Sequence, residues 1–412
     1  MKIAVVGSGI SGLAAARLLS RGHAVTLFEA ASRLGGHANT VDVTLGGRSY
    51  PVDTGFLVYN RATYPGLVRL FEELGVPSAP SEMTFSVALQ SPAIEWAGTN
   101  LDTMFAQRAN LLRPAFLHML RDVLRFNREA PLAAGDATLG DFLARGRYSS
   151  EFRDWYLLPM AAAIWSCPTR AMLDYPFASF ARFFRNHGLL QLADRPQWYT
   201  VRGGSRQYVE RIARGLADVR LATPVRSLRR DRTQAWVNGE RFDAVVLACH
   251  SDQALALLGA DASGAERAVL SAIPYQKNRA LLHTDATLLP RNRRVWSAWN
   301  YTAGADTPQG RPVSVHYLLN KLQPLPFAQP VIVSLNPHRE PQAAHVLGEF
   351  DYEHPVFNAG AAAAQTRLPE IQGARNTWFC GAWTRYGFHE DGFASALEVA
   401  RALDVEPLRQ AA

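Results

Sequence analysis

Lysine is almost missing from this chain: of 43 basic residues only Lys2, Lys277 and Lys321 are not arginine, so the formal charge of +7 is an arginine charge. No basic run exceeds two or three residues, which argues against the charged footprint of a nucleic-acid binder. Cysteine is equally scarce. Cys167, Cys249 and Cys380 are far apart, odd in number and without C-x-x-C spacing, so neither a disulfide frame nor a zinc or other metal site is expected, and all three read as small buried apolar residues. No window approaches the roughly 18 apolar residues of a membrane span. The first strand starts at residue 2, leaving no room for a signal peptide. These absences predict a cytoplasmic protein, at most peripheral to the inner face of a membrane. No oligomeric state follows from them.

What is present begins at the N-terminus. The 412 residues, 48% hydrophobic and 19% charged, are enough for two domains or one large α/β unit with an insertion. Lys2 to Val6 is an apolar β-prone run, and Gly7-Ser8-Gly9-Ile10-Ser11-Gly12 follows with G-x-G-x-x-G spacing. Leu13 to Arg21 reads as a helix closed by Gly22, and Ala24 to Phe28 as a second strand ending at Glu29 and Ala30. Gly7 suits the tight turn, Gly9 the close approach of backbone to a pyrophosphate, and Gly12 the packing of helix on strand. The phosphates would meet the free N–H groups of Ile10 and Ser11 at the helix start. Glu29, about twenty residues beyond the turn, is placed to accept from ribose hydroxyls. The unit predicts a dinucleotide site.

Further along, Thr40–Thr44 and Arg48–Val52 read as a hairpin about Gly46-Gly47, leading to Asp53-Thr54-Gly55-Phe56. Residues 62–75 form an amphipathic helix pattern, and Thr84–Leu89 a strand. From Asn100 to Leu143 the pattern is helical, with Phe116, Leu117, Leu120, Val123 and Leu124 as an apolar face and Arg108, Arg113, Arg121, Arg125 and Arg128 as a basic one. That basic face suits solvent or an anionic lipid surface. Aromatics crowd Trp155–Phe184. The α/β pattern resumes with Gly203-Gly204-Ser205, a helix over Arg206–Leu216, a strand pair over Arg220–Leu228 bent at Pro224, and the buried run Ala244–Ala248. One or two helices follow over Ala254–Ile273. Asn278–Thr284, Arg294–Tyr301, Val313–Leu319 and Pro330–Leu335 read as antiparallel strands, and Thr377–Cys380, Gly381 and a helix from about Glu390 to Leu403 end the chain.

The continuation Arg33-Leu34-Gly35-Gly36-His37 resembles the R-x-G-G-[RH] element of the FAD-dependent amine oxidase, phytoene desaturase and UDP-galactopyranose mutase superfamily. The chain is also similar to a bacterial group of NAD/FAD-binding proteins associated with enzymes that modify fatty-acyl chains, cyclopropane fatty acid synthases among them. That closer likeness rests on Ala163-Ile164-Trp165-Ser166, Asn186-His187-Gly188-Leu189-Leu190, Gly203-Gly204-Ser205, Trp296–Tyr301, Gly381-Ala382-Trp383 and Gly387–Gly392. The resemblance implies FAD as cofactor and a Rossmann-like α/β fold with an inserted substrate domain of mixed or antiparallel sheet plus helices. The expected FAD-binding parts are 1–60, 201–258 and 373–412, and the substrate parts 61–200 and 259–372. It also implies flavin contacts from the glycine pair, from Gly55 and Phe56, from Val225 beside the adenine, and from Gly381, Glu390, Asp391 and Phe393. Amine oxidases carry an acid after the C-terminal glycine where this chain has Ala382-Trp383. Their flavin-facing lysine aligns here with Arg279, Lys277 lying two residues earlier.

The chemistry expected is dehydrogenation of an apolar, fatty-acyl substrate with hydride transfer to flavin N5, which also needs a base. Lys277, His187, Tyr301 and His389 are the candidates, with His316 behind them. Oxidation of an amine beside Phe388 and Trp299 or Tyr301, and non-redox isomerisation, are the alternatives. With a single G-x-G-x-x-G, electrons would come from the small-molecule or acyl-lipid substrate rather than from a second bound dinucleotide.

Overall fold

The computed structural model describes residues 1–132, 135–191, 195–304 and 314–405. Its organising layer is a five-stranded parallel sheet in the order Asp218–Arg220, Ala24–Phe28, Lys2–Val6, Ala244–Leu247, Thr377–Phe379. The strands come from three separate stretches of sequence. Ile3, Val5, Val245 and Leu247 are fully buried, as apolar runs covered on both faces of a parallel sheet must be. Helices Ile10–Leu19 and His389–Ala402 pack side by side over it, so the first and last strand-glycine-helix units meet.

The second layer is a seven-stranded sheet in the order Val346–Pro355, Tyr275–His283, Ile332–Leu335, Val315–Leu318, Trp299–Ala303, Phe85–Leu89, Ile94–Ala97. All its pairings are antiparallel except Trp299–Ala303 with Phe85–Leu89. Helices between Leu101 and Asn186 flank it. The fold is thus mixed α/β, a Rossmann-like layer joined to an inserted sheet-and-helix part.

Asp53 ties the parts together. Its buried carboxylate accepts from the Ser205 backbone N–H and hydroxyl, from Thr40 Oγ1 and from Gln323 Nε2 at 2.5–3.0 Å. Burial nevertheless pushes its pKa up to about 6. Four donors on one ion explain how it can remain buried.

Several elements differ from the pattern reading. Arg220–Leu228 is not a strand pair: strands end at Arg220 and restart at Leu228, with the bend about Pro224 forming cavity wall between them. Arg294–Tyr301 is strand only from Trp299, because the Asn292 side chain accepts from Arg294 N–H and winds Arg293–Val295 into a turn. Val313 lies outside the described residues, and its strand runs Val315–Leu318. Helix Pro114–Glu129 buries Phe116, Met119, Val123 and Phe126 but leaves Leu117 and Leu124 exposed. Among the described residues no helix is long and apolar enough to cross a membrane.

Candidate active site

One continuous cavity of about 750 Å³ runs from the parallel sheet into the inserted part. At one end the chain turns at Gly7 with φ +100°, and Gly7 N–H donates to Phe28 O at 2.8 Å. Gly9 lines the cavity, and a Cβ placed on it meets nothing within 4 Å, so open space lies where any other residue would put a side chain. The helix from Ile10 has no side-chain cap, and Ile10 and Ser11 line the same space. An uncapped helix start beside an open glycine is what a pyrophosphate needs. Gly12 does not touch the cavity. A Cβ there would overlap the Gly7 carbonyl oxygen, so its role is helix-on-strand packing.

Glu29 and Ala30 line the cavity near the glycine turn, with Thr223, Pro224, Val225, Gln253 and Leu257 also in its wall. The Glu29 carboxylate accepts from Ser8 N–H at 2.9 Å, Ser8 Oγ at 2.5 Å and Ala31 N–H at 2.8 Å. It therefore shapes the glycine turn as well as facing the cavity. Gly36, His37, Gly55, Phe56 and Gly381 line the middle. Arg33 and Gly35 do not. The Arg33 guanidinium folds back onto Gly36 O at 3.0 Å, and Gly35, with φ +107°, serves the turn.

Three residues expected at the cofactor lie behind the wall. Glu390 accepts from Gly66 N–H at 2.7 Å and Leu67 N–H at 2.9 Å and so caps helix Pro65–Leu74. Asp391 accepts from Phe388 N–H at 2.9 Å at the start of its own helix, and burial raises its pKa to about 7. Phe393 is buried in the core.

Of the base candidates, His187 and His389 reach the cavity, while Lys277, Tyr301 and His316 do not. Lys277 is exposed on strand Tyr275–His283, and Arg279 pairs with Glu340 and Glu349 at the surface. Tyr301 is fully buried within its strand. His316 bonds Ser334 Oγ at 2.6 Å and Thr302 Oγ1 at 2.8 Å inside the sheet.

His389 lies stacked on Phe56 with centroids 3.7 Å apart and bonds the Tyr208 hydroxyl at 2.9 Å. The His187 ring stacks on Phe183 at 3.9 Å, and its Nδ1 lies 3.0 Å from Phe183 O. A carbonyl can only accept, so Nδ1 carries the proton and Nε2 keeps a free lone pair. Burial lowers His187 to about 4, His354 to about 4 and His389 to about 3, so all three rings are neutral near pH 7.

The far half of the cavity is apolar. Ile164, Trp165, Phe183, Leu189, Trp198 and Trp299 line it, while among the described residues the carboxylates that touch the cavity, Glu29 and Glu353, sit on other elements. Tyr64, Trp198, His250 and His354 were not foreseen from sequence. His354 had a legible signal: Phe350, Tyr352 and His354 alternate with Glu349, Asp351 and Glu353, a two-residue period. Among the described residues no cluster of three or more His, Cys, Asp and Glu is placed for a metal ion.

A family model described as flavin containing amine oxidoreductase matches residues 10–287. The chain belongs to that family. Its cofactor is FAD, and the open glycine cradle with its uncapped helix fits the pyrophosphate of that group. Among relatives, the Mycobacterium tuberculosis protein described as a flavin-containing monoamine oxidase, AofH, is 29% identical over 261 residues, covering 59% of this chain and 54% of that protein. The chain thus spans about half the length of the curated relatives it matches. The solved structure of cyclohexylamine oxidase from Brevibacterium oxydans is similar at TM-score 0.65 with 17% identity, covering 98% of this chain and 99% of that one. A CLA-producing fatty acid isomerase from P. acnes is similar at TM-score 0.65 with 17% identity, covering 97% and 98%. At such identities the likeness is one of fold. It does not choose between the chemistries those names describe.

Proposed function

We propose that this family member is an FAD-dependent oxidoreductase that dehydrogenates an apolar, fatty-acyl substrate, the flavin supplying two-electron acceptance at N5. The observation that carries the reading is the uncharged aromatic wall from Ile164 to Trp299 at the end of the cavity remote from the glycine turn. An alkyl chain gains about 0.8 kcal/mol for each methylene such a wall removes from water, whereas an ammonium group would lose hydration with no carboxylate among the described residues of that wall to replace it.

Within that wall, the residues orient the chain and keep water out. Removing hydrogen from adjacent carbons also releases a proton, and His187 is the side chain best placed to take it. Its Nδ1–H is held by Phe183 O, its ring is neutral, and Nε2 is left to accept. His389 is a weaker candidate because Nε2 already pairs with Tyr208. Amine oxidation remains the second reading, supported by the family and by Phe388 and Tyr386 lining the cavity. It also suits an amine bound in its neutral form.

The two readings separate in a binding series on the FAD-loaded protein. Saturated acyl ligands of increasing length should perturb the flavin absorbance with affinity rising about three- to fourfold per methylene. Short alkylamines should do so weakly and without that trend. Tight binding of small amines, with no gain from acyl length, would reverse the order of the two.

A further inference from the structure

Helix Pro114–Glu129 turns one side to the core through Phe116, Met119, Val123 and Phe126 and leaves the opposite side open. Along that open side Leu117, Arg121, Leu124 and Arg128 form one stripe at helical spacing in which leucine and arginine alternate, flanked by the exposed Pro114, His118 and Glu129. The turn leading into the helix continues it with Leu111 and Leu112. Leu112 is 89% exposed, Leu124 51% and Leu117 44%. Large apolar side chains left in water this close together mark an interaction surface.

Not all the arginines are available. Arg125 is drawn inward, its guanidinium 3.7 Å over the Tyr148 ring and paired with Asp122 and Glu129. Arg121 reaches the fully buried Asp122 carboxylate at 3.5 Å and is itself 67% exposed. Arg128 is exposed and has no ion pair among the described residues. The stripe therefore presents positive charge between apolar side chains.

We propose that this stripe seats the protein on the surface of an anionic phospholipid bilayer. At such an interface leucines enter the acyl boundary, while arginine stems lie along it with their heads among phosphates. The alternation fits that layer better than the alternatives. A second copy docked by two-fold symmetry would bring a basic stripe onto the same basic stripe. Solvent leaves the leucines unexplained. The surface stands on its own geometry, independent of the substrate reading above, though a bilayer would also store an acyl substrate.

The test is co-sedimentation of the FAD-loaded full chain with vesicles of phosphatidylglycerol and phosphatidylcholine against pure phosphatidylcholine. The expected result is binding to the anionic vesicles, weakened several-fold between low salt and 0.5 M salt. Leu117→Ser with Leu124→Ser should lower partition by tenfold or more, on the order expected for two leucines returned to water. Arg121→Gln with Arg128→Gln should weaken anionic binding and flatten its salt dependence. Because these side chains are exposed, FAD content and thermal midpoint serve as the check that each variant is folded. Wild type that does not sediment, or that sediments equally with the leucine variant, overturns the proposal. So does a dimer in light scattering that the leucine substitutions dissolve, which would assign the stripe to a second copy.

Discussion

Glu29 shows how one side chain can serve two ends. Its oxygens hold Ser8 and Ala31 while the same residue lines the cavity. Glu29→Ala should lower FAD affinity about ten- to a hundredfold, the worth of a charged hydrogen bond of roughly 1.5–3 kcal/mol, with little effect on the rate of the fully loaded enzyme. Reconstitution of apoprotein with FAD, followed by flavin fluorescence, measures it; unchanged affinity would mean that the carboxylate only shapes the turn. The place of Glu29 at the cavity is legible in sequence because strand, glycine turn, helix and acid occur at fixed spacing. Lys277 and Tyr301 show the limit of such reading. Strand periodicity assigns Lys277 to one face or the other, but which face meets the cavity depends on how the seven-stranded sheet packs, and Lys277 proves to be exposed. Glu390 was hidden for a related reason: helix Pro65–Leu74, which it caps, lies more than 300 residues away in the chain.

At the scale of elements, Gly9 and Gly12 separate binding from folding. Three residues apart in one turn of chain, they meet different surroundings: open cavity for Gly9, the Gly7 carbonyl for Gly12. Gly9→Val should therefore give a folded protein that no longer retains FAD, its affinity reduced by about a hundredfold or more. Gly12→Val should force helix Ile10–Leu19 off its sheet at a cost of about 3 kcal/mol or more, lowering the thermal midpoint with or without flavin. Circular dichroism melts and flavin content of both variants decide it, and equal loss of stability would deny the distinction. The first strand-helix-strand unit was readable because its contacts are local. The alternation of Phe350, Tyr352 and His354 with Glu349, Asp351 and Glu353 marks Val346–Pro355 as a strand, but that both Glu353 and His354 meet the cavity depends on how its end packs and is not written in the period.

The whole molecule carries an unusual load of buried neutral imidazole. Burial lowers His187, His283 and His354 to about 4, His316 and His389 to about 3, and His37 well below its ordinary value. Unfolded, each would take up a proton near pH 6.5, so between about pH 6.5 and 4 the unfolded chain binds more protons and stability falls as pH falls. Three carboxyls act in the opposite sense. Burial raises Asp53 to about 6, Asp391 to about 7 and Glu390 above its usual value, so these favour the folded state on acidification over part of the window. The six histidines outnumber them, and each uncompensated proton is worth ~1.4 kcal/mol per pH unit. The thermal midpoint should therefore drop from pH 7 to pH 5, and a flat or rising profile would contradict the balance.

The same burial makes the far half of the cavity a place for an alkyl chain, and that is the claim on which the functional account turns. The most direct test is anaerobic: the purified FAD-loaded protein is mixed with long-chain acyl substrates or with alkylamines, and the flavin absorbance is followed. The account predicts that the acyl substrate bleaches the flavin, the amines leave it oxidised, and His187→Ala slows the bleaching about a hundredfold or more. Bleaching by amines alone, or no reduction by acyl chains of any length, would contradict it.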